Sequence, residues 1–161
     1  MQRTDVHHLP HWGHPRRVPE GLGDVPVYGI WPEDADRHAR DLGGRLPTAD
    51  EWEKAVRGLD GRTWPWGDTW RSGLSATAEL GLDRPMPVRA LGAHGEASLF
   101  SAIGGVFETT ASFWRGRPDR GRVVMGGCFT HPASHARPSL RLSHRLSGAL
   151  KCGLRVAWDE T

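Results

Sequence analysis

No run of about 18 apolar residues occurs anywhere in the chain, so it has no candidate transmembrane helix. Its opening, MQRTDVHHLPHWGH, lacks the apolar core of a secretory signal. Cysteine is scarce. Cys128 and Cys152 alone cannot make a disulfide scaffold, and a reduced, cytoplasmic protein is the expectation. Lysine is scarce beside arginine, and the net charge is only +2 with no basic run or stripe, which excludes a nucleic-acid footprint. There is no G-x-S-x-G elbow, phosphate loop, H-E-x-x-H or dinucleotide fingerprint, so the common hydrolase, nucleotide and zinc-peptidase templates fail. No internal repeat or low-complexity tract appears.

What is present is tryptophan, glycine and proline. Eight tryptophans stand against one tyrosine, and they read mainly as core and turn residues, with one or two lining a groove. Twenty-one glycines and 12 prolines in 161 residues indicate many turns. The length suits one domain, 1–161, whose residues 1–9 read as a disordered tail. Val25 to Ile30 carry weak strand signals. Pro32 opens a helix with Glu33 and Asp34 in its first turn, Ala35, Ala39 and Leu42 on one face, and Gly43-Gly44 as its stop. Thr48 followed by Glu51 forms the capping-box pattern of a second helix, with Trp52, Ala55 and Val56 on one face and Gly58 at its end. DGRTWPWGDTW is a turn-rich loop, and residues 70–104 are irregular. GGVFETTASFW, RVVMGGCF and GLRVAW read as strands, the last two separated by a polar segment, 130–151. The pattern predicts an α+β fold.

Four ordered blocks carry a resemblance. RLPTADEWEKAVRG with WPWGD resembles the "RLPTEAEWE…PWGD" signature of the formylglycine-generating enzyme / sulfatase-modifying factor family. GGVFETTASFW resembles its "GNVWEWTSD" block, VVMGGCF with GLRVA its closing "RGGSW…GFRVA" pair, and PHWGHPRRVPEGLGDVPVYGIWPEDA its run into "HPVVGVSWEDA". The resemblance covers residues 10–158 and implies a C-type-lectin-like fold: two short helices beside a small, twisted antiparallel sheet with long irregular loops. It also implies that the VVMGGCF and GLRVA strands are neighbours, which puts Cys128 and Cys152 in reach of a disulfide. Members of the family usually carry further strands and a helix before the "HPV" block, so a reduced fold, or one completed by a partner, is expected. Unpaired strand edges then favour a homodimer.

The chemistry that the resemblance implies is divided. Formylglycine-generating enzymes oxidise a cysteine with O2 and copper, ergothioneine-type sulfoxide synthases use iron held by a helical domain, and other members only bind ligands. In the copper enzymes the last motif runs R-G-G-S-Y-x-C, then four residues, then C. Laid on this sequence, the serine position is Cys128, the first copper thiolate falls on His131 and the second on Ala136. Two thiolates suit Cu(I), and neither is present.

Cys128 reads either as a buried, inert residue or as a thiol activated by His131 or Arg137. His7, His8, His11 and His14 form one histidine group, His131, His135 and His144 another; convergence of either would make a metal site. Glu108 survives in the "GNVWEWT" block while the asparagine becomes Gly105. That loss weakens a Ca2+ site, and Glu108 reads as a buried acceptor for Arg141 or Arg155.

The leading expectation is a non-catalytic binding module without a resident metal. Trp114, Arg137, Arg141, His144 and Arg145 would form its binding face, toward an anionic small molecule or a protein. The alternative is a copper- or iron-dependent oxidase with Cys128, His131 and His135 at the metal. A further alternative is a degenerate subunit that completes a partner's fold.

Overall fold

The computed structural model describes residues 18–145 and 151–159. The expectations for residues 1–17, including the four N-terminal histidines, lie outside the described residues. Helix α1 spans Pro32–Asp41 and helix α2 spans Ala49–Arg57. Six strands follow: β1 Ala93–His94, β2 Leu99–Phe100, β3 Phe107–Phe113, β4 Arg122–Met125, β5 Leu142–Ser143 and β6 Cys152–Leu154. β1 and β2 form a small hairpin, and the other four make one sheet in the order β5-β4-β3-β6. This is an α+β fold, as the sequence predicts.

Three details depart from that reading. The sheet is mixed, not wholly antiparallel, because β3 and β6 run parallel while β3–β4 and β4–β5 are antiparallel. β3 lies between β4 and β6, so the strands of VVMGGCF and GLRVA are not neighbours. β3, at seven residues, is the longest strand, and a central place lets it bond on both edges, with a register shift against β4 between Thr109 and Phe113. Cys128 and Cys152 are not joined in a disulfide, and both are buried. Third, the Val25–Ile30 segment forms no strand; Pro26 has no N–H to give a ladder, Gly29 has a positive φ of 80°, and the Ile30 amide donates to Cys152 O at 3.0 Å.

Local signals explain both helices. α1 has Pro at its first position and acidic residues in its first turn. Ala35 and Ala39 are buried, but Leu42 is 53% exposed, because the helix ends at Asp41 and Gly43 turns the chain away. α2 carries the full capping box: the Glu51 amide donates to Thr48 Oγ1 at 3.2 Å and the Thr48 amide to Glu51 Oε2 at 2.8 Å. Arg45 then grips Glu51 with both terminal nitrogens, each at 2.8 Å. The Arg45 guanidinium, with the Thr48 amide behind it, pulls the Glu51 carboxyl from 4.5 down to about 2.

A carboxylate held below its unfolded value adds stability that is present above pH 4.5 and lost as pH falls toward 2. Glu51→Gln is therefore expected to flatten part of the acid dependence of the urea midpoint between those limits. Thr48→Ala is expected to cost about 1 kcal/mol at neutral pH. Chemical denaturation of both variants at pH 7 and pH 3 checks this.

Packing follows the alternation of a strand. On β4, Val123 and Met125 join Trp52, Val56, Trp64 and Ile103 in one core cluster, while Val124 joins Phe107, Cys128, Phe129 and Cys152 in another. Trp64, Trp66 and Trp70 stack and tilt against one another, with ring centroids 4.7–5.8 Å apart. This confirms tryptophan as core and turn material here. No described helix is long and apolar enough to cross a membrane.

Candidate functional site

Below β4 the chain turns at Gly126-Gly127 and enters the stretch CFTHPASHA. Cys128 is wholly buried, and its Sγ lies 2.9 Å from His131 Nδ1. The spacing of three works because residues 128–131 form a turn, closed by the His131 amide donating to Cys128 O at 2.9 Å. Thr130 Oγ1 sits 3.4 Å from both groups and receives Lys151 Nζ at 2.7 Å. The His131 ring stands edge-on to Phe107 and, 5.5 Å away, to His135.

Burial holds the His131 pKa below the usual histidine value, and the charges of His135 and Lys151 add to this. The imidazole is then neutral at neutral pH, and its Nδ1 can accept the Cys128 S–H. The turn is braced from outside: the Ala78 amide donates to His131 O at 3.0 Å, and the Ala133 amide to Glu79 Oε1 at 2.9 Å.

The donor set does not fit a two-thiolate copper site. Ala136 is fully buried and brings only a methyl group to the second thiolate position. Cys152 lies on β6, two strands away from β4. Among the described residues no three His, Cys, Asp or Glu side chains are grouped to hold a metal, so Cys128, His131 and His135 do not converge as a triad. Glu108 offers no bare carboxylate to calcium. Its Oε2 receives Trp52 Nε1 at 2.6 Å and Arg155 Nε at 2.9 Å, and its Oε1 receives Arg155 Nη2 at 2.7 Å. Of the two arginines considered as its partner, Arg155 is the one.

The expected binding face is scattered in character. Arg137 and Arg145 are exposed. Arg141 is drawn onto α2, with Nη2 2.5 Å from Asp50 Oδ1 and 3.1 Å from Glu53 Oε2. Trp114 packs partly against the main core. His144 is 8% exposed, with Nδ1 accepting from the Arg122 amide at 3.1 Å. Sequence reasoning missed Thr130 and Lys151 beside the thiol; no local pattern ties Lys151 to a residue 21 positions away.

The model of the family described as "Sulfatase-modifying factor enzyme 1-like domain" matches residues 4–160. The chain belongs to this sulfatase-modifying factor family. It is 34% identical to a hercynine oxygenase of Mycolicibacterium smegmatis, over 92% of this chain and 40% of that protein. It is 30% identical to the inactive C-alpha-formylglycine-generating enzyme 2 of Bos taurus, over 73% of this chain and 45% of that one. The chain thus spans about two fifths of the length of such relatives. Among solved structures, PvdO from Pseudomonas aeruginosa shares the fold with a TM-score of 0.67 at 17% identity, over 83% of this chain and 61% of PvdO. Sulfatase-modifying factor membership leaves both catalytic and inactive relatives in view, and the residues of this chain must separate them.

Proposed function

We propose that this chain is a non-catalytic binding domain of the sulfatase-modifying factor family. The observation that carries the reading is the replacement of both thiolate positions by His131 and Ala136, with the neighbouring thiol of Cys128 buried against His131. A buried thiol bonded to a neutral imidazole is a packed core group with a satisfied hydrogen bond. The bovine relative named as inactive supports the same direction. Arg137 and Arg145, exposed on the segment between β4 and β6, suit an anionic group on a small molecule or protein partner.

A second reading keeps oxygen chemistry. It is favoured by the reach of the similarity to hercynine oxygenase, which runs over 92% of the chain. In that reading the metal is held through His131, at the first copper-thiolate position, beside Cys128 and His135.

An oxygen electrode separates the two. The purified chain, given copper(I) or iron(II) and a cysteine-containing peptide, is expected to consume no more dioxygen than metal and peptide alone. Protein-dependent uptake that disappears in His131→Ala would establish the oxidase.

A further inference from the structure

Apart from the Cys128–His131 turn, the fold contains a cavity of about 620 Å3. That lies within the range of small-molecule sites. Its walls are mostly apolar, with Val27, Val88, Phe100, Val106 and Leu154 among them. Three charged groups reach it, Glu108, Arg155 and Arg89, and His38 is a further basic side chain in its wall.

The charges do not balance. Both Glu108 oxygens are already taken by Trp52 and Arg155. Arg155 spends Nε on Glu108 and Nη2 on Glu108 and Phe100 O, and its Nη1 makes no hydrogen bond among the described residues. Arg89 lies over the Phe100 ring, 4.4 Å from its centroid, with no carboxylate partner among the described residues. Two guanidiniums therefore face one committed carboxylate in a mainly apolar enclosure. Such a site repels cations. It desolvates a phosphate or a dicarboxylate against too little polar lining to compensate. One carboxylate on an apolar body matches both features, because a guanidinium fork is made for a carboxylate and the walls take the rest.

We propose that this cavity binds a monocarboxylic acid with an apolar body, its carboxylate between Arg89 and Arg155 Nη1. The proposal extends the binding-domain reading to a site whose lining shares no residue with the Cys128–His131 turn. Oxygen uptake tests that turn and acid binding tests the cavity, so either can fail alone.

The test is calorimetric titration of the chain with octanoate and 2-naphthoate, each beside its neutral amide. At least one acid is expected to bind at least about tenfold tighter than its amide, a difference of about 1.4 kcal/mol. Binding by octanoate alone marks an aliphatic ligand, and by 2-naphthoate alone an aromatic one. Arg89→Ala, at an exposed position, should weaken the acid and leave the amide unchanged. Val88→Trp should fill the cavity and abolish both. The proposal is overturned if neither acid binds at millimolar concentration, if amide and acid bind alike, or if acid binding survives both variants unchanged.

Discussion

Glu108→Ala is expected to destabilise the chain by about 3–5 kcal/mol, a large part of the roughly 5–15 kcal/mol that holds a domain folded. The carboxylate is 5% exposed and ties three elements together: Trp52 on α2, its own strand β3, and Arg155 just past β6. Arg155 Nη2 continues the link to Phe100 O on β2 at 2.8 Å. Removing the carboxylate leaves a half-buried guanidinium uncompensated and the buried Trp52 N–H without its acceptor. Leaving partners orphaned costs far more than never having had the pair. Glu108→Gln keeps an acceptor for Trp52 but loses the charge opposite Arg155, so a smaller loss is expected. Trp52→Phe removes one donor and part of a buried ring, but leaves Glu108 its bonds from Arg155. Urea denaturation of the three variants checks the order Ala worst, then Gln, then Phe. Near-neutral behaviour of Glu108→Ala would show that the network adds nothing to stability.

Gly104→Ala is expected to cost about 3 kcal/mol, and Gly105→Ala only about 1 kcal/mol. Both glycines have φ in the left-handed region, +76° and +71°. The difference is space. A Cβ on Gly104 would overlap the Ala76 carbonyl oxygen and stand 2.6 Å from Ser75 Oγ, whereas a Cβ on Gly105 meets nothing within 4 Å. The same backbone is fixed by hydrogen bonds of 2.7 Å from the Gly104 amide to Gly126 O and from the Gly105 amide to Ala76 O. Displacing Ala76 also strains Ala78, whose amide holds His131 O. Gly104→Ala should therefore loosen the Cys128 turn as well as the fold. Thermal melts of both variants, with the rate of Cys128 alkylation by iodoacetamide, measure the two effects. Equal melts would contradict the packing argument.

The parts legible in the sequence were those fixed by local rules. The Thr48–Glu51 capping box, the Pro32 start and the β3 and β4 strands each rest on residues within a few positions of one another. Gly105 stands where the family pattern has asparagine, and asparagine also tolerates positive φ, so glycine there preserves a backbone shape. What the sequence could not show depends on distant pairing. The parallel β3–β6 ladder inserts β3 between strands that looked adjacent. Arg141 reads as a free fork until the fold brings Asp50, 91 positions away, to 2.5 Å. The contact of Cys128 with His131 needs the turn geometry, since a spacing of three alone fits a loop that points the two side chains apart. The cavity has no sequence signature, because its walls come from six separate stretches of the chain.

The most direct test of the central claim is elemental analysis of the purified chain, made without a histidine tag, after loading with excess copper(I) or iron(II) and removal of unbound metal. Loss of both thiolate positions predicts retained copper and iron well below one equivalent, unchanged by His131→Ala. One equivalent of either metal, retained by the native chain and lost in His131→Ala, would contradict it and make the Cys128 turn a metal centre.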